Sequence, residues 1–270
     1  MIDENEILGI KKDIKQVVEE LLQGAVENKQ WEIVELLLQD PRVDPSINNN
    51  VTIHCTAFYG QKKLVEMLLQ DPRVDPSSEN NWAIRVAAQY GHKDVVELLL
   101  RINTVDPSAQ DNAAIRWAAK NGHRDVVELL LGDPRVDPSA ENNYAITWAA
   151  SSGHKDIVEL LLQDSRVDPS VKNNDLIIRA VCWDCLQLIE LLLQDPRVDP
   201  SAQKNESIRI AACRGNKKMV ELLLQDPRVN PDKALNYAFY RGHQEIVELI
   251  EEHKYKPNRT HYNELSKLII

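Results

Sequence analysis

The sequence predicts an all-α solenoid of stacked helix-turn-helix units, and three observations carry that prediction. Val-Asp-Pro recurs with its aspartate at Asp44, Asp75, Asp106, Asp137, Asp168 and Asp199 and then as Asn230, every step being 31 residues. Between recurrences, apolar residues fall at helical spacing in two blocks parted by glycine, as in Ile84, Ala87, Ala88, then Gly91, then Val95, Val96, Leu98 and Leu99. The repetition is unbroken, so each unit buries its apolar face only against its neighbours. One elongated domain follows. Residues 1-43 form N-terminal helices and a capping repeat, 44-229 six 31-residue repeats, and 230-270 a shortened last repeat with a C-terminal cap.

The first helix of each unit is expected to begin after Asn50, Asn81, Asn112, Asn143, Asn174 or Asn205. An asparagine there accepts from the free amides of the first turn, a cap worth on the order of 1 kcal/mol. The helix ends at Gly60, Gly91, Gly122, Gly153, Gly215 or Gly242, where a left-handed C-cap suits a residue without Cβ. Alanine pairs such as Ala87/Ala88 and Ala118/Ala119 let first helices approach closely, while Leu-Leu-Leu fills the second-helix side. That inequality predicts a curved stack. Asp-Pro-Arg-Val-Asp-Pro-Ser then stops the second helix and holds a stiff connection. Its Asp and Arg columns are expected to form solvated local ion pairs on the rim.

The ends depart from the unit as caps should. Glu19, Glu20 and Glu27 give the first helix of residues 13-43 the polar outer face a terminal repeat needs. The tail, THYNELSKLII, is expected to form a short amphipathic helix closing the stack. Within the array the fifth unit breaks four rules: Asp184 replaces the turn glycine, Cys185 the histidine, Val181 the second alanine and Leu176 a small residue. Larger groups at a close contact overpack it, so this is the expected weak joint.

Composition excludes several functions. A net charge of −10 leaves no basic footprint for nucleic acid or an anionic membrane surface. No apolar run approaches the roughly 18 residues that span a bilayer, and the acidic start MIDENEI is unlike a signal peptide. A cytoplasmic, intracellular monomer is expected. Cys182 and Cys185 match CxxC but lack a second pair, so no metal site is assigned. No glycine-rich loop exists to cradle a phosphate. The chain reads as no enzyme and as needing no cofactor.

The stretches AAQYGHKDVVELLL and AAKNGHRDVVELLL resemble the AAxxGHxxIVxLLL core of ankyrin repeats, with AIR or AIT where that family has PLH. The resemblance covers about residues 30 to 260. It departs in its 31-residue unit, against about 33 in the family, and in lacking the Asp-Gly hairpin tip and Thr-Pro, which implies short, weakly strand-like fingers between repeats. The DPRVDPS variety resembles arrays of amoebae and of the giant DNA viruses that infect them. The resemblance implies that His92, His123, His154 and His243 bridge neighbouring units. It further implies a non-catalytic scaffold that recognises a partner protein through a concave groove and fingers. An adaptor recruiting ubiquitin-ligase or other host machinery is the alternative, although the residues after the last repeat are too few for an F-box-like segment.

Positions that vary between units locate the expected groove, because packing already explains those that repeat. Before the turn glycine, Tyr59, Tyr90, Trp183 and Tyr240 are candidate anchors, with Gln89, Lys120, Ser151 and Arg214 as a polar rim. Trp82 and Tyr144, just ahead of the first helix, extend the same surface; Phe58, Trp117 and Trp148 compete as inter-repeat packing. A further column reads His54, Arg85, Arg116, Thr147, Ile178 and Arg209. Its arginines are expected to bond to a carboxylate or carbonyl of the adjacent linker.

Overall fold

The computed structural model describes the backbone of residues 4–267 and the side chains of residues 14–255. By their contacts the residues fall into two units, Met1–Arg166 and Val167–Ile270. The first unit holds α1 (Glu4–Glu27) and α2 (Trp31–Leu38), then α3 (Ile47–Phe58) with α4 (Lys62–Leu69) and α5 (Ser78–Gln89) with α6 (Lys93–Leu100). It ends with α7 (Ala109–Lys120) and α8 (Arg124–Leu131), then α9 (Ala140–Ser151) and α10 (Lys155–Leu162). The second unit holds α11 (Val171–Cys182), α12 (Leu186–Leu193), α13 (Ala202–Arg214), α14 (Lys217–Leu223), α15 (Asp232–Arg241) and α16 (Gln244–Lys267). The architecture is an all-α repeat solenoid.

Eight-residue second helices would not persist alone. Each survives by burying one face, as α6 buries Val95, Val96 and Leu99, at about 1.5–3 kcal/mol per side chain. First helices of the first unit pack on one another through fully covered alanines, including Ala87, Ala88, Ala118 and Ala119. They lie in closer contact than the second helices do, as the difference in side-chain size requires.

The first helices α3, α5, α7, α9, α11 and α13 are each entered through a left-handed turn that the sequence does not announce, whereas α15 is not. Glu79, Asn80 and Asn81 have φ of 52°, 55° and 59°, and the equivalent triplets from Asn48 and Gln110 match them. Three such residues in succession are strained for most side chains and least so for Asn and Asp, which recur here. The repeating asparagine is therefore no N-cap: capping needs an extended φ/ψ, and at φ near +60° its amide is turned toward the next linker. Asn50, Asn81 and Asn112 accept from the backbone amides of Asp75, Asp106 and Asp137 at 2.8, 2.7 and 2.7 Å. In the second unit Asn174 and Asn205 accept from Asp199 and Asn230 in the same way.

The fingers are not strand-like. No strand occurs among the described residues, because each connection closes on itself: Ser77 donates its amide and hydroxyl to Asp75 Oδ1 at 2.9 and 2.6 Å. Nothing extended is left to pair. The linker arginine also does more than form a solvated ion pair. Arg135 closes on Asp133 and reaches back to donate to the Val105 carbonyl at 2.8 Å; Arg73, Arg166, Arg197 and Arg228 repeat the bond to the previous unit. Ile102-Asn103-Thr104 stands where other linkers have Asp-Pro-Arg or, at 164–166, Asp-Ser-Arg, so that connection lacks the strut.

The turn glycines adopt the expected left-handed conformation, Gly91 at φ +77°. A Cβ there would also lie 2.5 Å from His123 Nδ1 of the next repeat. Two constraints thus select glycine. His123 Nε2 sits 2.9 Å from the Gln89 carbonyl, which only accepts, so the ring donates from Nε2; burial pushes its pKa down. His92, His154 and His243 make the same bridge to Phe58, Lys120 and Cys213.

The N-terminal cap differs from expectation. Ile14, Val17 and Leu21 of α1 and Ile33 and Leu36 of α2 are exposed beside Glu20. The cause is that α2 retains repeat sequence: Ile33 holds the column that Leu64, Val95 and Val126 bury, and no described helix covers it. The closing role expected of residues 260–270 lies outside the residues whose side chains are described.

Candidate functional site

In the first unit, the variable positions emerge along the first helices between the left-handed turn and the turn glycine. Tyr59 and Tyr90, at the C-terminal ends of α3 and α5, are 37% and 46% exposed. Both belong to a continuous run of rings: Trp31 to Tyr59 at 5.4 Å, Tyr59 to Phe58 at 4.6 Å, and Phe58 to Tyr90 at 4.4 Å. Lys29 lies over Tyr59, its Nζ 4.7 Å from the ring centre. Phe58 is thus both packing and part of the surface.

Trp31 and Lys29 were missed by sequence reasoning, although each is an outlier in its column. Trp31 stands where Lys62, Lys93, Arg124 and Lys155 are basic, and Lys29 takes a turn-glycine position at φ 56°.

Further along the face, Trp82 and Tyr144 are half-buried. The Arg85 guanidinium lies between two rings, 5.1 Å from the centre of Trp82 and 5.9 Å from that of Trp117. Its Nε and Nη2 donate to the carbonyls of Asn80 and Glu79 at 2.9 and 3.1 Å, so it ties down the left-handed turn of its own repeat. Arg116 does the same to Gln110 and lies over Trp148, as does Lys120, while Tyr144 stacks on Trp148 at 5.4 Å. The acceptors are therefore carbonyls of the arginine's own left-handed turn and not, as the sequence suggests, of the adjacent linker. Gln89 is half-buried with its carbonyl taken by His123 and Asn121; Ser151 is exposed and donates to Trp148 O. An open cavity of about 440 Å³ is lined by His54, Glu79, Asn80, Trp82, Arg85 and Gln110.

In the second unit, Trp183 is half-buried at the end of α11 and Tyr240 is 83% exposed on α15. Arg214 is exposed, yet its Nη1 donates to Cys182 O at 2.6 Å. That carbonyl is equivalent to those the histidines bind elsewhere, and Asn216 holds the histidine position here. Arg214 thereby bridges repeats where the histidine is missing.

A family model described as ankyrin repeats, in three copies, matches residues 22–111, 85–173, 115–205 and 177–261. The chain belongs to the ankyrin-repeat family. No curated protein matches it. Ankyrin repeats are a general scaffold for protein–protein interaction, and the family is typically non-catalytic. In this ankyrin-repeat chain no group of three or more His, Cys, Asp and Glu poised for a metal ion occurs among the described residues, and no described helix is long and apolar enough to cross a membrane. Cys55, Cys182, Cys185 and Cys213 are free thiols.

Proposed function

We propose that the chain binds a partner protein across the exposed face of its first helices, with Tyr59 and Tyr90 as anchors of the first unit. One observation carries this reading. The run Trp31, Tyr59, Phe58 and Tyr90 is continuous across neighbouring repeats and still leaves both tyrosines open to solvent. Rings that serve packing alone are covered; tyrosines offering a rigid apolar face with a polar tip are the residues on which interfaces concentrate their energy. Trp82, Gln89, Lys120, Tyr144 and Ser151 extend the face, and Trp183, Arg214 and Tyr240 are proposed for the same role in the second unit.

The test compares affinity with stability. Tyr59→Ala and Tyr90→Ala are titrated by calorimetry against a partner isolated on the wild-type chain. Affinity should fall more than about tenfold while folding stability stays within about 0.5 kcal/mol. Melting curves that collapse while the remaining folded protein binds normally would make these rings inter-repeat core and end the proposal.

A further inference from the structure

Basic side chains of the first unit occupy two opposite electrostatic settings. Each linker arginine that follows an aspartate by two residues, such as Arg73, Arg135 or Arg166, closes on that aspartate. Lys29, Arg85, Arg116 and Lys120, on or beside the first-helix face, form no ion pair among the described residues and lie over Tyr59, Trp82, Trp117 and Trp148 instead. The chain carries 42 acidic residues against 32 basic ones, so carboxylates are not scarce. Among the described residues none of them pairs with these four cations.

The donors on this face are only partly used. Arg85, 8% exposed, spends two N–H groups on backbone carbonyls; a guanidinium has five. Arg116 spends one on Gln110, and its buried Nε has no partner. Burial alone pushes the Arg85 guanidinium below its ordinary pKa, with no carboxylate to offset it. Beside it lies the open cavity lined by His54, Trp82, Gln110 and Glu79, whose carboxylate is turned to the Asn49 amide at 3.3 Å. A partly desolvated guanidinium gains more from a carboxylate than an exposed one, and rings that hold it in place reduce the entropy lost on pairing.

We propose that the first-helix face of the first unit recognises an acidic segment of the partner protein, whose carboxylates pair with Arg85, Arg116 and Lys120 among the Trp82, Trp117 and Trp148 rings. The inference rests on the protein-binding reading and names the chemistry of the partner. An acidic segment fits better than a nucleic acid: it brings a few charges to a few cations, whereas a polynucleotide brings one per phosphate into the field of a chain with net charge −10.

The experiment selects a random phage-displayed peptide library on the wild-type chain. Selected peptides are then titrated by fluorescence anisotropy against wild type, Lys120→Glu, the pair Arg85→Lys/Arg116→Gln, and the pair Tyr59→Ala/Tyr90→Ala. Lys120 contacts the Trp148 ring from an exposed position, so its variant stays readable even if the arginine pair unfolds. Expected are peptides rich in Asp and Glu, weakened about tenfold or more by Lys120→Glu, with affinity falling as salt rises from about 0.05 to about 0.5 M. Poly-uridylate RNA should not compete. Selected peptides without acidic residues that still lose affinity in the tyrosine pair overturn the acidic partner and leave the protein-binding face standing. Peptides indifferent to both sets of variants overturn both readings. Competition by the RNA at peptide-like concentrations, or no enrichment over a Lys120→Glu bait, overturns the acidic segment.

Discussion

The backbone amide of Asp137 donates to the side-chain oxygen of Asn112, 25 residues earlier, at 2.7 Å. A bond from one repeat to the linker of the next replaces the helix cap that the sequence suggests. Removing it strands an amide in a partly buried position, which costs about 1–3 kcal/mol, more than a lost cap at about 1. Asn112→Ala should lower stability by that larger amount in urea unfolding. Asn112→Asp keeps the acceptor and should lose much less; Asn112→Gly keeps the left-handed backbone without the acceptor and should fall between. Equal losses for Ala and Asp would deny the inter-repeat bond its role.

The Asp133–Arg135 pair gives part of the stability a defined pH dependence. The side-chain hydrogen bond from Arg135, with help from its backbone amide and charge, holds the Asp133 carboxyl below its ordinary pKa despite opposing burial. A depressed folded-state value contributes stability that is complete above the unfolded value, about 3.9, and is lost as pH falls through the folded one. Asp133→Asn lacks the contribution at every pH. The Tm difference between wild type and variant should therefore be largest near neutrality and shrink below about pH 4. A difference that does not change with pH would show that the pair contributes nothing through ionisation. Grafting the strut into the linker that lacks it, as Ile102→Asp/Asn103→Pro/Thr104→Arg, should add a similar pH-dependent increment.

The period, the helices and the turn glycines were legible because each leaves a residue-type signature: 31-residue spacing, apolar blocks, and a glycine where φ is positive. The left-handed turns were not, since Asn before a helix reads the same whether it caps its own first turn or bolts to the next repeat. Only the sign of φ at Glu79, Asn80 and Asn81 separates the two. The linker arginines likewise announce their charge partner, two residues away, but not the carbonyl 30 residues back that fixes their position. At the candidate face, Tyr59 and Tyr90 stand out as variable aromatics. Trp31 is visible only when its column is compared with Lys62 and Lys93, and the ring settings of Arg85 and Arg116 depend on how adjacent repeats superimpose.

Ser207 sits 1% exposed in the column held by Ala83, Ala114 and Ala145, and its hydroxyl has no hydrogen-bond partner. A buried polar group left unpaired costs about 1–3 kcal/mol, whereas the smaller apolar residue of the column carries no such cost. Ser207→Ala should raise the melting temperature. An unchanged or lower Tm would mean that the hydroxyl is satisfied in solution.

In the fifth repeat the exchange of the turn glycine is matched by an exchange in the sixth. Where Gly91 faces His123, Asp184 holds the turn at φ 60° and Asn216 replaces the histidine, its Nδ2 donating to the Asp184 carboxylate. A histidine ring cannot stand against that Cβ, because at Gly91 the equivalent atom would lie 2.5 Å from the ring. Asn216→His alone should therefore overpack the contact and cost about 1–3 kcal/mol. Asp184→Gly relaxes the left-handed backbone but forfeits the bond from Asn216, leaving a small net change. Together they recreate the glycine–histidine contact of other repeats, so the double variant should be at least as stable as wild type, a favourable coupling above about 1 kcal/mol. Amide exchange over residues 170–195, expected to be faster than over 110–165 in the wild type, should slow in the double variant. Additive single-variant losses in a urea-unfolding cycle would show that the two substitutions are independent and that the pairing has no energetic meaning.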